Sequence, residues 1–283
     1  MVTSPQQLSE RPVFNLVFLH GWGMNSGVFT KLIASLESQL AGLSLPIAFT
    51  FSCIDLPGHG HNNKQRPHAG ASASDWQLSS MASAIADQLK ANSILIGWSL
   101  GGLIAQKLAV DQNTKVKALI TIASTPKFQM GSSSQREWPG IKPEVLQTFV
   151  EQLSLNHHKT LSRFLAIQMM GVANAKALVK EISAAIEQRP APDPSALAAG
   201  LHILQQADLC EQIANISVPT LRLYGRLDSL VPHSVIHLIQ SLQPESESVI
   251  FKHASHAPFL TNPDVFAEHL LPFIKQVTSK HPH

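Results

Sequence analysis

The stretch Ile94-Leu95-Ile96-Gly97-Trp98-Ser99-Leu100-Gly101-Gly102 passes from an apolar strand pattern into a helical one, with a serine held between two glycines at the change. This G-x-S-x-G placement is the signature of a nucleophile elbow. So sharp a turn forces the serine into a strained backbone conformation, and a side chain at position 97 or 101 would meet the neighbouring strand or helix. Ser99 Oγ would then stand above the sheet edge. A helix starting at Leu100 would aim its free backbone N–H groups at the same spot, which suits a developing negative charge. The pattern also arises by chance in small-residue loops, but the strand before it and Leu103-Ile104-Ala105 continuing as a helix after it favour the elbow.

Working outward, short apolar strand patterns at 14–19, 47–54, 93–97, 118–122, 220–224 and 248–251 alternate with helical patterns at 29–39, 77–90, 100–110, 234–242 and 263–277. That alternation predicts an α/β fold whose mostly parallel sheet is covered by helices on both faces. The alternation breaks between Pro126 and Ile216. There the periodicity is helical, no convincing strand occurs, and Pro139, Pro143, Pro190, Pro192 and Pro194 punctuate the run. Residues 1–125 and 217–283 therefore read as two parts of one core, and residues 126–216 as an inserted helical cap lying over the sheet edge that carries Ser99. The polar segment 59–75 reads as a mobile loop.

Composition narrows the partners. The chain has 283 residues, 21 Lys and Arg against 19 Asp and Glu, and a net charge of +2, which gives no electrostatic case for nucleic acid. The polar first twelve residues lack the apolar stretch of a signal peptide, and no apolar run is long enough to span a bilayer. The two cysteines, Cys53 and Cys210, lie in or beside apolar sequence and read as buried thiols in a reducing compartment, so a cytoplasmic protein is expected; a monomer is the default expectation, with nothing in the sequence that fixes the oligomeric state. Of 14 histidines, His281 and His283 read as a frayed tail, and the adjacent His157 and His158 point in different directions on a helix. No metal or cofactor is expected.

A serine hydroxyl needs a base within hydrogen-bond reach and an acid that orients the base. The strand at 220–224 runs into Gly225-Arg226-Leu227-Asp228, and the strand at 248–251 runs into Lys252-His253-Ala254-Ser255-His256-Ala257-Pro258. Ser99, Asp228 and His256 thus follow three strand ends in the order Ser, Asp, His. Asp228 can alternatively cap the following helix, with Asp208, read as lying in a helical stretch, as a competing acid. His253 competes for the base; the Ala257-Pro258 turn after His256 favours the latter. For the oxyanion, the glycine-flanked loop His20-Gly21-Trp22-Gly23 and the helix start offer the backbone N–H groups of Trp22 and Leu100. His20 reads as a brace for that loop. Trp22 and Trp98 read as pocket walls, or as core aromatics.

These residues, together with Asp55-Leu56-Pro57-Gly58-His59-Gly60, resemble the α/β-hydrolase superfamily over nearly the full chain. Within it the chain is similar to the carboxylesterase family of biotin synthesis that acts on pimeloyl methyl ester carried by acyl carrier protein. The resemblance is carried by Leu19-His20-Gly21-Trp22-Gly23, Gly97-Trp98-Ser99-Leu100-Gly101-Gly102-Leu103, Glu137-Trp138-Pro139-Gly140-Ile141-Lys142-Pro143, Arg163-Phe164-Leu165-Ala166 with Gln168, Leu221-Arg222-Leu223-Tyr224-Gly225 and His256-Ala257-Pro258-Phe259. It implies ester hydrolysis without a cofactor, and substrate contacts at Trp22, Ser99, Leu100, Phe164, Leu165, Ala166, Ile167, Gln168 and His256. Segment 59–75 is longer and more polar than the family's usual continuation, with His61 where serine or arginine is common, so the resemblance carries over the chemistry but not the geometry of the entrance. Lys159 with Arg163, and Lys176 with Lys180, are spaced i, i+4. Each pair shares a helix face that suits an acidic carrier protein, although such pairs are also ordinary solvated surface. A general short-chain esterase or thioesterase, an acyltransferase, and a non-enzymatic binding protein of the same fold remain alternatives. A carbon–halogen hydrolase of this fold would need aspartate at position 99.

Overall fold

The computed structural model describes residues 11–43, 46–67, 75–133 and 136–279. The expected tail histidines 281 and 283, the first ten residues, and positions 68–74 of the expected mobile loop lie outside the described residues. The described start of that loop forms a 3-10 turn at Gly60–Asn62.

Six strands form one parallel sheet: β1 (Val13–Leu19), β2 (Ala48–Ile54), β3 (Ser93–Trp98), β4 (Val116–Ile122), β7 (Thr220–Gly225) and β8 (Glu247–Phe251), in the order β2-β1-β3-β4-β7-β8. The central strands are buried on both sides, so their sequences read as near-continuous apolar runs. Alternation sorts each strand between two cores. Phe14, Leu16 and Phe18 of β1, Ile94 and Ile96 of β3 and Ile120 of β4 face helices α1 (Thr30–Ala41) and α10 (Pro263–Ser279). Val17, Leu19, Leu95 and Leu119 face α2 (Leu78–Ala86), α3 (Leu100–Val110) and α8 (Val235–Leu242).

The chain leaves β1 toward β2 on one side and returns to β3 on the other. The carboxyl ends of β1 and β3 therefore flank the topological switch point, where loops diverge and leave a crevice. The loop after β1 carries Gly21 to Asn25, and the turn after β3 carries Ser99. The same order brings the ends of β4, β7 and β8 alongside, so the predicted acid and base loops emerge at the same edge.

Between β4 and β7 the chain forms α4 (Pro143–Leu155), α5 (His157–Gln168), α6 (Ala175–Glu187) and α7 (Pro194–Gln206). The expectation that this stretch holds no strand is corrected: β5 (Gly131–Ser133) and β6 (Arg136–Trp138) make a short antiparallel hairpin. Three-residue strands are too short for an alternating pattern to be read from sequence. Asp208 is not helical either. α7 ends at Gln206, and Asp208 pairs with Lys127 at 2.9 Å and accepts the Cys210 N–H. Helix α2 stops at Ala86, four residues before the expected Lys90. The remaining short helix, α9 (Pro258–Thr261), follows β8 and was not anticipated.

The elbow is fixed by close backbone approach. A Cβ placed on Gly101 would lie 2.3 Å from the Leu19 carbonyl oxygen and 2.5 Å from that of His20, both immovable backbone atoms at the end of β1. Gly101→Ala is expected to destabilise the protein by about 3 kcal/mol, the range of a severe packing clash. At Gly42 the nearest atom is 3.6 Å away and φ is −72°, so Gly42→Ala should be neutral or stabilising by a few tenths of a kcal/mol. Urea unfolding of both variants measures the contrast; equal midpoints would contradict it.

Candidate active site

Ser99 takes φ 54° and ψ −119°, a left-handed conformation that a side-chain-bearing residue adopts only at a cost of about 1–3 kcal/mol. Three contacts hold it there. Its N–H donates to the Ile122 carbonyl at 2.9 Å, its carbonyl accepts the Leu103 N–H of α3 at 3.1 Å, and Ser124 Oγ donates to the same carbonyl at 2.8 Å. The strain turns the side chain out of the strand direction toward the loop after β8.

There the predicted residues meet. His256 Nε2 lies 2.8 Å from Ser99 Oγ, and His256 Nδ1 lies 2.8 Å from Asp228 Oδ2. Asp228 Oδ1 accepts the N–H groups of Leu230 (2.8 Å) and Val231 (3.0 Å), so one oxygen is fixed by the loop and the other is left for the imidazole. Capping and orienting are thus done by one carboxylate with separate oxygens. The carboxylate on Nδ1 leaves the Nε2 lone pair directed at the serine, the arrangement in which imidazole can accept its proton. All three residues are buried.

The loops after β7 and β8 lock together at Gly225, where a Cβ would sit 1.9 Å from the Ser255 carbonyl oxygen. Leu227 N–H donates to the Ala254 carbonyl across the same seam, at 2.9 Å. His256 is also clamped through its own backbone. Its N–H donates to the Gln168 carbonyl at 3.2 Å, and its carbonyl accepts the Trp98 indole N–H at 2.8 Å. Trp98 is therefore a core residue, packed edge-on to Phe259, and it supports the histidine from behind. His253, the competing base, is exposed.

On the other flank, Gly21 approaches Ser99: a Cβ there would lie 3.3 Å from Ser99 Cβ. The loop is set by His20, whose Nδ1 contacts the Gly21 carbonyl at 2.8 Å while Nε2 accepts the Leu56 N–H at 3.0 Å. Below it, Asp55 accepts from Ser26 N–H (2.6 Å) and His61 N–H (2.8 Å), bonds that hold its carboxyl below the usual carboxylate range despite burial. Leu100 is the first residue of α3, so the helix supplies no partner for its N–H. The Trp22 indole donates to the Leu197 carbonyl at 2.8 Å and meets Phe164 edge-on with centroids 4.8 Å apart. Gly200 is required beside it, because a Cβ would reach within 2.5 Å of the indole. Trp22 thus joins the β1 loop to helices α5 and α7. The need for Leu197, Gly200 and the Gln168 carbonyl carried no sequence signal, since each acts through backbone or through lack of a side chain.

Of the other residues expected to meet substrate, Phe164, Leu165 and Gln168 are buried, Ile167 is half-buried and Ala166 is exposed; Gln168 meets the histidine through its backbone carbonyl alone. A cavity of about 490 Å³ lies between the β1 loop and the inserted helices, lined by Gly23, Met24, Leu161, Leu165, Arg189 and Leu197; no triad residue lines it, so it borders the loop of Trp22 and not the buried serine itself. Lys159, Arg163, Lys176 and Lys180 are all exposed on α5 and α6, and none forms an ion pair among the described residues. Arg163 donates to Gln152 Oε1 at 2.9 Å. No group of three metal-ligating side chains occurs among the described residues, and no described helix is long and apolar enough to cross a membrane.

Comparison with known proteins places this geometry in context. The model of the alpha/beta hydrolase fold family matches residues 15–263. The pimeloyl-[acyl-carrier protein] methyl ester esterase of Proteus mirabilis is 42% identical over 258 residues, covering 91% of each chain. Its counterpart from Pseudoalteromonas atlantica is 44% identical over 253 residues, covering 89% of this chain and 91% of its own. Among solved structures, an esterase from Exiguobacterium antarcticum superposes with a TM-score of 0.77 at 22% identity over 93% of this chain and 92% of its own, a likeness of fold.

The two buried histidines under the β1 loop make a testable demand. Burial, reinforced by the neighbouring His59, lowers the His20 pKa to about 3, and burial lowers that of His59. Both are neutral when folded, whereas in the unfolded chain they take up protons below about pH 6.5. The unfolded state then binds more protons, so stability is lost as pH falls from about 6.5, at up to about 1.4 kcal/mol per pH unit for each histidine. Urea midpoints between pH 7.5 and 5 should fall accordingly, and His59→Gln should make the slope shallower. An unchanged slope in that variant would show that His59 is not buried neutral.

Proposed function

Because the chain belongs to the alpha/beta hydrolase fold family and, within it, to the pimeloyl-[acyl-carrier protein] methyl ester esterases, we propose that it is a serine carboxylesterase that hydrolyses the methyl ester of pimeloyl carried on acyl carrier protein, freeing the carboxylate for biotin synthesis. The observation that carries the chemical part is the unbroken hydrogen-bond line Asp228–His256–Ser99 at the switch point of the sheet.

Ser99 Oγ attacks the ester carbonyl as His256 Nε2 takes its proton, and Asp228 holds the imidazole in orientation and stabilises the imidazolium. The Leu100 and Trp22 N–H groups receive the oxyanion. Collapse of the tetrahedral species expels methanol, protonated by His256, and leaves the acyl-enzyme. Water, deprotonated by the same histidine, then attacks the acyl carbonyl, and Ser99 leaves with the returned proton. Every proton is exchanged with His256, so no cofactor or metal is needed for the cycle.

Residues 126–216 act as the cap: Phe164 packs on Trp22, the Gln168 carbonyl holds the His256 N–H, and the 490 Å³ cavity beside Gly23 and Met24 offers the arm of the substrate a way in toward the serine. The outer face of α5 supports carrier docking. Lys159 and Arg163 form no ion pair among the described residues, and Leu155, 84% exposed, sits one residue before the Asn156 cap of that helix. Basic side chains around an exposed apolar one suit an acidic carrier. Cys53 and Cys210 are unpaired thiols that burial pushes up to about 12, consistent with inert residues in a reducing cytoplasm. No step calls for a nucleic acid, a membrane or a second subunit, and the working form is a monomer.

Purified protein incubated with pimeloyl methyl ester on acyl carrier protein should release methanol and the free carboxylate, seen by mass. Ser99→Ala should release none, and Asp228→Asn should lower kcat by about 10⁴-fold. Turnover of p-nitrophenyl esters without turnover of the carrier substrate would retain the serine mechanism and remove the biotin role. Reversing the charge at Lys159 and Arg163 should raise KM for the carrier substrate about tenfold at low salt, with a smaller effect at 0.5 M NaCl. A salt-independent KM would reject docking through α5.

A further inference from the structure

Arg222 lies in the middle of β7, is completely buried, and has no carboxylate partner among the described residues. A buried guanidinium is costly to desolvate, and here burial lowers its affinity for its proton. Its close hydrogen-bond partners are two side-chain amides, and the Tyr224 phenol beside it on β7 is a further electrostatic partner. Nη1 donates to Gln106 Oε1 at 3.0 Å, and Nη2 donates to Gln243 Oε1. Gln243 is itself held by Thr220 Oγ1, at 3.1 Å from its Nε2.

The direction of these bonds is forced. Guanidinium only donates, so Gln106 must turn Oε1 toward Arg222 and its NH2 away. That NH2 lies 3.3 Å from the Gly102 carbonyl and 3.4 Å from Ser124 Oγ. With a donor on its lone pair, the Ser124 hydroxyl is left to donate its own proton to the Ser99 carbonyl, at 2.8 Å. Gln106 and Ser124 are both fully buried, so no solvent competes for these groups. An independent feature points to the same place. Ala123, at the end of β4, has φ 45°, a left-handed conformation for a residue with a Cβ, and this bend precedes the serine that meets the elbow. Ser124 Cβ also lies 2.5 Å from where a Gly102 Cβ would be, which ties its position to the first turn of α3.

The acceptor at the end of the line is the informative atom. The Ser99 carbonyl and the Leu100 N–H belong to one peptide unit, and hydrogen bonding to the carbonyl strengthens the N–H as a donor through the same delocalised amide. We infer that Arg222, Gln106 and Ser124 form a one-way buried hydrogen-bond relay that fixes and polarises the Ser99–Leu100 peptide, making them positioning residues for oxyanion stabilisation. The inference rests on the esterase reading for its kinetic consequence and on the relay's geometry for its physical one.

Two variants test it. Ser124→Ala removes the last donor. Gln106→Glu keeps the shape and gives Arg222 an ion-pair partner, but it replaces the donor facing Ser124 with an acceptor that draws the hydroxyl proton away from Ser99. With p-nitrophenyl butyrate as substrate, each should lower kcat by about tenfold, a fraction of what loss of a whole oxyanion donor costs, with KM changed by less than about twofold. In each, the backbone amide proton of Leu100 should shift upfield in ¹H–¹⁵N spectra of the free enzyme, as a weakened donor requires. An unmoved Leu100 resonance in the folded variants, or a loss confined to KM, would overturn the relay. If Ser124→Ala does not fold, Gln106→Glu carries the test. If the wild-type protein turns over no ester at all, the esterase reading fails, and the Leu100 resonance alone decides the relay.

Discussion

The left-handed backbone at Ser99 is the constraint around which the rest of the molecule is arranged. It is unfavourable locally, so the neighbours must over-determine it. They do so by proximity that only glycine allows: Gly97 faces the Gly101 carbonyl, Gly101 faces the carbonyls of Leu19 and His20, and Gly102 faces Ser124. These contacts pull the start of α3 onto the ends of β1 and β3. The strand order follows the same logic, since a nucleophile at the switch point is useful only if β1, β4, β7 and β8 deliver their loops to that edge.

Around the elbow, each polar group of Asp228 and His256 has its partner. Asp228 uses one oxygen on two loop amides and the other on His256, and His256 uses both ring nitrogens on the triad and both backbone groups on Gln168 and Trp98. With each bond spoken for, the histidine has little freedom to turn away from Ser99, which is the value of preorganisation in a site that must not rearrange as charge develops. Phe164, Leu197 and Gly200 against Trp22 do the corresponding task for the inserted helices, anchoring them to the loop expected to hold an oxyanion donor.

The chemistry was legible because it sits at strand ends. All six strands of the sheet follow from apolar runs, and Ser99, Asp228 and His256 follow from what stands just after three of them. The structure brings those three together. Less legible were features whose signal is short or absent. The paired strands Gly131–Ser133 and Arg136–Trp138 are too brief for a period, and Asp208 looks helical in sequence but lies past the end of α7, paired with Lys127. Trp98 next to the nucleophile suggests a pocket wall, but strand alternation turns it into the core with Ile94 and Ile96, while Trp22, on a loop outside that alternation, reaches the inserted helices. The buried partners of the elbow, Gln106, Ser124 and Arg222, lie far apart in sequence and meet only through the register that sets Gly97 beside Thr121 and Thr121 beside Arg222.

That register explains why an apolar core tolerates so many polar atoms on one side of the sheet. On the face toward α3, successive strands place Gly97, Thr121 and Arg222 in one row directly beneath the elbow, whereas the opposite face at the same level is Ile96, Ile120 and Leu221. Hydrophobic residues in that row would pack at lower desolvation cost. They could not, however, define a direction, because dispersion contacts leave a peptide free to tilt, while a donor-only guanidinium followed by an amide and a hydroxyl specifies which way every bond must point. Histidine 20 and Asp55 impose a similar order on the β1 loop, through one ring whose two nitrogens meet a carbonyl and an N–H and one carboxylate that meets two N–H groups. The two N–H groups proposed to receive the oxyanion thus belong to two separate segments, each braced from below by its own buried polar set, and the cost of burying those sets is the cost of keeping the hole in shape before substrate arrives.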